Sequence, residues 1–210
     1  MPTSATLSVF LLVGFAALIV PGPSVFYVLA RGIAQGRKAA VVSAVGLQTG
    51  LMVHVVAAAL GVSALVVSSP VTFALVKYVG AGYLLYLGLR MFLAEHRHDF
   101  GAEPETQGLL RTFSQGVVVS ALNPKVALFF LAVLPQFVEP AHGPVVTQVL
   151  LLGGVLVAMG LCIDGSYALA SSAIGAWLGR GQAIVRTQQI AAGLVFVGLG
   201  LATALTGHQG

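Results

Sequence analysis

The sequence predicts an all-α integral membrane protein with six transmembrane helices. Of its 210 residues, 58% are hydrophobic and only 8% are charged, whereas about 25% are charged in a typical soluble domain. The apolar residues fall into six runs, each long enough to cross a bilayer, which takes about 20 residues. Prolines interrupt the first and the fourth run, so these two helices are predicted to be broken.

The six predicted spans occupy nearly the whole chain. They cover roughly residues 7–30, 39–67, 71–94, 111–134, 145–172 and 188–206. The polar stretch from Glu95 to Gly108 is predicted to be a solvated linker. No soluble catalytic or ligand-binding domain fits beside these segments, so any chemistry must lie inside the bundle. The first run lacks a basic start and continues beyond a proline, so we expect a membrane span there and no cleaved signal peptide.

Basic residues are concentrated on one side of the predicted bundle. Eight of the ten lie in or beside three connections: Arg31, Arg37, Lys38, Arg90, Arg97, Arg111, Arg180 and Arg186. They are scattered at helix ends and form no patch, so the net charge of +4 does not indicate nucleic-acid binding. By the positive-inside rule, loops 31–38, 95–110 and 176–187 are expected to be cytoplasmic and both termini outside.

The two halves of the chain carry matching features. A shift of 103 positions places Pro21 on Pro124, Phe26 on Phe129, Tyr27 on Phe130 and Gly50 on Gly153. Each half holds three spans, an odd number, so the second half enters the membrane in the opposite sense. The sequence therefore predicts a 3+3 inverted-topology repeat with a first repeat at 1–95, a linker at 96–110 and a second repeat at 111–210. Matching breaks in such a repeat indicate a transport site near the bilayer midplane.

The two breaks are Pro21-Gly22-Pro23 and Asn123-Pro124-Lys125. Broken helices present free backbone groups and helix-end dipoles, which suit carboxylate and ammonium groups. A charge such as Lys125 at the centre of a span costs on the order of 2.5–3.5 kcal/mol, so it should face the bundle or a wet cavity. Two roles stay open for it: a cation for a substrate carboxylate, or a group that reaches an interface or caps the broken helix. Asn123 suits both repair of the break and ligand binding.

Asp164 is the only acidic residue well inside a span. With Gly160, Ala168 and Ser171 it forms a small, polar stripe at helical spacing, which should direct its carboxylate into the bundle. A lone carboxylate in a membrane is predicted to carry a proton or to bind a substrate ammonium. A structural pairing with Lys125 is the alternative, and it is compatible with function.

Span 2 carries a second stripe of small residues with one histidine: Gly46, Gly50, His54, Ala57 and Gly61. This stripe predicts close helix approach and turns His54 inward. His54 could relay a proton, or it could be a hydrogen-bonded packing residue. Gln48 lies on a different helical face and is not grouped with it.

The remaining polar residues are expected to have structural roles. Lys77, Tyr83, Tyr86 and Arg90 are predicted to anchor span 3 at the membrane interfaces. His96 and His98 lack further clustered ligands. We therefore expect neither a metal site nor a cofactor, and the single cysteine, Cys162, can form no internal disulfide.

Three segments together resemble the LysE/RhtB family of amino-acid exporters. They are Pro21-Gly22-Pro23, KYVGAGYLLYLG from Lys77 to Gly88, and NPKVALFFLAVLPQF from Asn123 to Phe137. The similarity runs from about residue 8 to residue 205, and NPK is its most specific part. The family motifs carry onto both breaks, whereas Asp164 and His54 rest on the physical arguments above.

The resemblance implies a small bacterial inner-membrane protein that expels amino acids such as lysine, arginine, threonine, homoserine or leucine. It also implies drive by the proton gradient and a homo-oligomer, often a dimer. Our leading hypothesis is therefore a secondary exporter of a small amino acid or related zwitterion, with proton antiport through Asp164 and His54 as a relay.

Other function classes have less support in the sequence. A GxxxxGK[ST] segment, which direct ATP drive would need, is absent, and so are the HExxH and GxSxG motifs of membrane-embedded enzymes. We therefore expect no enzymatic activity. A cation or metal exporter of related architecture stays open, although few soft ligands are present. A passive channel also stays open, although duplicated breaks suit alternating access better.

Overall fold

The computed structural model describes residues 2–19, 22–68 and 108–178, and isolated helical positions at 78, 82, 85, 86, 89, 190, 194, 197, 198 and 201. These residues form helices and short connections, with no strand among them. Pro21, nearly all of the linker at 96–110, and most of the third and sixth predicted spans lie outside the described residues. The all-helical prediction is confirmed for the described part, whereas six spans and the 3+3 repeat stay predictions.

Six α-helices follow one another along the described ranges: α1 Ser4–Ile19, α2 Pro23–Gln35, α3 Arg37–Ser68, α4 Leu109–Ala121, α5 Pro124–Leu128 and α6 Val145–Leu178. Helices α3 and α6 are each long and apolar enough to cross a membrane. Two bent pairs are also long and apolar enough when each pair is taken as one span: α1 with α2, and α4 with residues 124–137. The described residues thus hold two spans, or four if each bent pair is one span.

The first break lies between α1 and α2, whose axes differ by 52°. Helix α2 starts with Pro23, preceded by Gly22 in an extended conformation. Proline suits this first position because its missing N–H would have no helical partner there and its φ is already helical. Gly22 supplies no side-chain cap, so the first turn of α2 leaves backbone amides beside the break.

The second break is built differently, with a side chain that caps the new helix. Pro124 begins α5, and Asn123 Oδ1 accepts a hydrogen bond from the Lys125 N–H at 3.0 Å. This is the N-cap arrangement for which asparagine is strongly preferred. The chain bends by 44° between α4 and the segment that α5 begins.

The span that follows the second break stays irregular. A π-helical turn, Phe129–Val133, leads into a 3-10 turn, Leu134–Phe137. Pro135 has no N–H to donate, so a regular α-helix cannot pass through it unchanged. Gln136 Nε2 donates to the Ala132 carbonyl oxygen at 2.6 Å, which satisfies a backbone acceptor in an apolar setting. A further 3-10 turn, Pro140–His142, precedes α6.

The predicted cytoplasmic loop at 31–38 is much shorter than expected. Helix α2 continues to Gln35 and α3 begins at Arg37, so Gly36 alone joins them. Its φ of 82° lies in the left-handed region that glycine adopts without a steric penalty. Arg31, which was predicted to lie in this loop, is a buried residue of α2. The other two predicted loops are also trimmed, since α4 begins at Leu109 and α6 runs to Leu178.

Helix α3 packs against α2, α4 and α6. A Cβ on Gly46 would overlap the carbonyl oxygen of Phe113, and one on Gly50 that of Val117, so glycine lets α3 approach the α4 backbone. The predicted stripe is confirmed at these two positions. It is wrong at Ala57 and Gly61, which are exposed. The reason is that α4 ends at Ala121, so its backbone does not continue alongside the second half of α3.

Two apolar clusters fill the space between the helices. The larger includes Phe10, Leu51, Phe129 and Leu152, and the smaller includes Val28, Ala44, Leu47 and Ala168. Leu47 and Leu51 are one helical turn apart on α3 but belong to different clusters. A cavity lined by both leucines lies where the clusters meet.

Candidate functional site

A cavity lies near the middle of the described helices, where both breaks meet α3 and α6. It has a volume of about 40 Å³, which is enough to hold at least one water molecule. Its polar lining comes from Gly22, Ser24, Gln48, Ser120, Asn123, Lys125 and Asp164, and its apolar lining from Leu18, Val25, Leu47, Leu51 and Val126.

The two breaks are in direct contact in this cavity. Asn123 Nδ2 donates a hydrogen bond to Ser24 Oγ at 3.0 Å. The Lys125 side chain lies beside Gly22, with Nζ 3.9 Å from the position that a Cβ on Gly22 would occupy. The absence of a side chain at Gly22 therefore leaves its backbone next to an ammonium group. Of the predicted residues of the two breaks, the cavity brings together Gly22, Asn123 and Lys125.

Pro23 and Pro124 shape the breaks without lining the cavity. Each occupies the first position of the helix that follows its break. Proline is favoured at this first position because its fixed φ is already helical. Pro21 lies outside the described residues.

Asn123 has a defined structural task. It is 4% exposed, its oxygen caps α5 and its nitrogen reaches Ser24 of α2. Ser24 was missed in the sequence, because a serine one residue beyond Pro23 reads as an ordinary first-turn residue. The contact shows that Asn123 repairs one break and connects it to the other.

Asp164 enters the cavity from α6, as predicted. The whole stripe of Gly160, Asp164, Ala168 and Ser171 is buried, which confirms the inward direction of the carboxylate. Asp164 and Lys125 line the same cavity. A positive and a negative charge in a partly desolvated space attract each other far more strongly than in water.

Gln48 is a second site residue that the sequence did not reveal. It is 6% exposed, and its Nε2 donates to Asp164 Oδ2 at 2.7 Å. Gly160 packs against the Gln48 amide, and any side chain there would overlap it. A glutamine in the middle of an apolar run was the available signal, since a buried amide without partners is costly. Its position on a different face from His54 concealed its role.

His54 lies next to the cavity but does not line it. Its Nε2 is 3.1 Å from the Ser120 carbonyl oxygen, and because a carbonyl can only accept, that nitrogen carries the proton. The ring stacks on Phe130 at a centroid distance of 6.0 Å. This geometry gives His54 a packing partner and a link to Ser120, a cavity residue. Its role as a proton relay stays a prediction.

A second polar cluster joins α2 to α4, away from the breaks. Arg31 donates to Gln115 Oε1 at 2.8 Å and to Gln35 Oε1 at 3.1 Å, and its guanidinium lies 5.5 Å from the centre of the Tyr27 ring. Tyr27 Oη in turn donates to the Thr112 carbonyl at 2.7 Å. Arg31 is 7% exposed. The sequence predicted Arg31 only as one of the basic residues that set the membrane topology. In the structure, its contacts connect the first half of the chain to the second.

Broken apolar helices around a cavity lined by residues of opposite charge are typical of membrane transport proteins. The family model described as LysE type translocator matches residues 9–207. The chain therefore belongs to the LysE family of translocators, which confirms the resemblance seen in its motifs.

Several relatives match over most of their length. The chain is 31% identical to a homoserine/homoserine lactone efflux protein of Salmonella typhimurium, with 95% of this chain and 96% of that protein covered. It is 32% identical to a leucine efflux protein of Klebsiella pneumoniae, with 86% of each covered. An uncharacterized membrane protein of Vibrio cholerae is 28% identical, with 93% of this chain and 94% of that protein covered. No solved structure matches the chain.

Proposed function

We propose that this protein exports small amino acids, or closely related compounds that carry an ammonium group, across the cytoplasmic membrane in exchange for protons. The observation that carries the proposal is the cavity at the junction of the two helix breaks, which both Lys125 and Asp164 line. A zwitterion presents one charge of each sign, and this cavity offers the complement of both.

Each end of such a substrate has a matching part of the cavity. A carboxylate suits Lys125 and the first-turn amides of α2, since the positive end of a helix dipole favours an anion. An ammonium suits the Asp164 carboxylate. The names of the relatives agree with this division, because homoserine and its lactone share the ammonium, leucine also has it, and the lactone has no free carboxylate.

Proton coupling follows if Asp164 alternates between two partners. In its ionised form it attracts the substrate ammonium; once protonated it no longer does so, and the substrate can leave. His54 is our proposed relay, because it contacts the cavity residue Ser120 through a backbone carbonyl. Export would then proceed with one proton moving inward on Asp164 for each release.

Alternating access is proposed to use the inverted repeat. Two close contacts support it, because each broken span packs on an unbroken span of the other half. A Cβ on Gly14 of α1 would lie 2.8 Å from Leu156 of α6, and one on Gly116 of α4 would lie 2.9 Å from the Ser43 carbonyl oxygen of α3. The inner-membrane location, the external termini, the cytoplasmic basic loops and a dimeric assembly belong to the same proposal.

The test is counterflow in proteoliposomes with a panel of labelled amino acids that includes homoserine and leucine, with and without a pH gradient. We expect exchange of at least one amino acid and faster accumulation when the gradient is imposed. Transport of a metal ion without transport of any amino acid would overturn the proposal. Exchange that ignores the gradient would overturn proton coupling alone.

Two substitutions test the charged cavity. Lys125→Ala and Asp164→Asn are each expected to reduce exchange by at least about tenfold, which corresponds to about 1.4 kcal/mol of lost interaction. Cys162→Ala is the matched control, since Cys162 lies two residues from Asp164 on α6 and is exposed. Size-exclusion profiles check folding. If both variants retain wild-type exchange, the charged site is wrong while the family assignment stands.

A further inference from the structure

The Gln48 side chain has one polar atom that the protein itself does not satisfy. Its Nε2 donates to Asp164 Oδ2 at 2.7 Å. Its Oε1 is buried and accepts no hydrogen bond from the part of the chain that the structure describes. Buried side-chain acceptors are nearly always paired in folded proteins, so an exception at the wall of a cavity needs a physical reason.

The orientation of the Gln48 amide is fixed by its partner. An ionised carboxylate only accepts hydrogen bonds, so the nitrogen of the amide must face Asp164 and the oxygen must face away from it. Gly160 lies beside that oxygen and contributes no side chain. Gln48 also belongs to the lining of the cavity. The unpaired acceptor therefore belongs to a side chain that lines the cavity and contacts its carboxylate.

We propose that Gln48 Oε1 accepts a hydrogen bond from the substrate ammonium, which Asp164 binds at the same time. This inference rests on the proposed export function and deepens it by naming a specificity-determining residue. An ammonium has three N–H donors, so it can serve both acceptors at once. The hydrogen bonds from the ammonium to Gln48 Oε1 and to Asp164 need no further group from the described residues.

The inference defines the substrate class by its nitrogen. Compounds with a primary ammonium satisfy Gln48 and Asp164 together, whether their carboxylate is free or masked as an amide. N-acetyl derivatives lose the positive charge and keep a single N–H. They leave at least one buried acceptor unpaired, and sites built for such hydrogen bonds reject the analogue that lacks them.

The experiment uses the full-length protein in proteoliposomes, with leucine and homoserine as probes. Each is compared with its amide and its N-acetyl form as competitors. The variants are Gln48→Met, which keeps the side-chain length but removes the acceptor, and Gln48→Glu, which restores an acceptor oxygen. Thr49→Val is the matched control, since Thr49 is the next residue on α3, is exposed and bonds only to the Val45 carbonyl of its own helix.

We expect the amides to compete with the wild-type protein and the N-acetyl forms to fail. Gln48→Met should raise the KM by at least about tenfold, as for the loss of a hydrogen bond to a charged group, with a smaller change in maximal rate. Gln48→Glu should recover most of that KM, and Thr49→Val should match wild type. Selection of an ammonium over an N-acetyl group tests Gln48 and Asp164 together, whereas the KM of Gln48→Met and its recovery in Gln48→Glu test Gln48 itself.

The possible failures are separable. Wild-type protein that exchanges neither probe nor any other amino acid refutes the export function itself. Wild-type exchange with an unchanged KM in folded Gln48→Met refutes only the role of Gln48. If Gln48→Met does not fold, competition on the wild-type protein decides, and N-acetyl forms that compete as well as the free amino acids overturn the inference.

Discussion

Replacement of Gly160 by alanine tests whether the Gln48–Asp164 contact is needed for transport. A Cβ at this position would lie 2.7 Å from both Cδ and Nε2 of Gln48, and closer still to Oε1. Ordinary contacts between carbon atoms are about 3.5–4.0 Å, so the amide must move by roughly 1 Å. Gln48 is flexible at this end, so the helices can stay in place while the amide leaves Asp164.

The magnitude follows from two opposing effects. Loss of the 2.7 Å hydrogen bond to Asp164 costs about 1.5–3 kcal/mol, the usual contribution of a hydrogen bond to a charged group. Alanine offsets about 1 kcal/mol of this through its higher helix propensity. We expect a net loss of about 0.5–2 kcal/mol in the free energy of unfolding.

Gly154→Ala is the matched control, because it lies on the same helix, is exposed and has no neighbour within 4 Å of the new Cβ. The free energy of unfolding of Gly154→Ala should rise by up to about 1 kcal/mol, and this variant should exchange substrate normally. Unfolding is followed in detergent by intrinsic fluorescence, and transport by counterflow. Gly160→Ala should lose at least about tenfold in exchange rate. Equal stability shifts in both variants, with wild-type transport in Gly160→Ala, would refute the reasoning.

Two further predictions concern the helix contacts. Asn123→Ala should destabilise the fold by about 1.5–3 kcal/mol, because it removes a helix cap and a hydrogen bond. A double-mutant cycle with Ser24→Ala, read from unfolding midpoints, should give a coupling energy of about 0.5–1.5 kcal/mol. Strictly additive effects of the two substitutions would contradict the contact between Asn123 and Ser24. Gly50→Ala should cost about 1–3 kcal/mol by forcing α3 from the α4 backbone. Gly61→Ala, with open space around it, should be neutral or stabilising, and similar midpoints for these two glycine variants would contradict the packing.

Local signals in the sequence were sufficient for the breaks and for the carboxylate. A proline in an apolar run and an acidic residue in a span each violate a strong constraint of the bilayer, so their positions stand out. The structure confirms the bends that follow Ile19 and Ala121 and the burial of Asp164. These features depend on neighbouring residues along the chain, which is why a single sequence reveals them.

The role of Gln48 could not be predicted because it depends on how many helices surround α3. The sequence correctly separates the faces of Gln48 and His54, which lie six residues apart. A helix with only one buried face would then place one of them in lipid. Helix α3 instead packs against α4 on the His54 face and against α6 on the Gln48 face. Both faces are inside the bundle, and this follows only from three-dimensional packing.

The two breaks are in contact but offer different chemical groups. The first break gives bare backbone at Gly22 and a hydroxyl at Ser24, whereas the second gives the amide of Asn123 and the ammonium of Lys125. Any movement of α2 relative to α5 must therefore break the Asn123–Ser24 hydrogen bond and shift Lys125 along Gly22. In the proposed export cycle, a substrate carboxylate bound between Lys125 and the first turn of α2 would replace part of the lost contact and so favour that movement. The residues proposed to bind the substrate would thus also respond to the movement of the two halves.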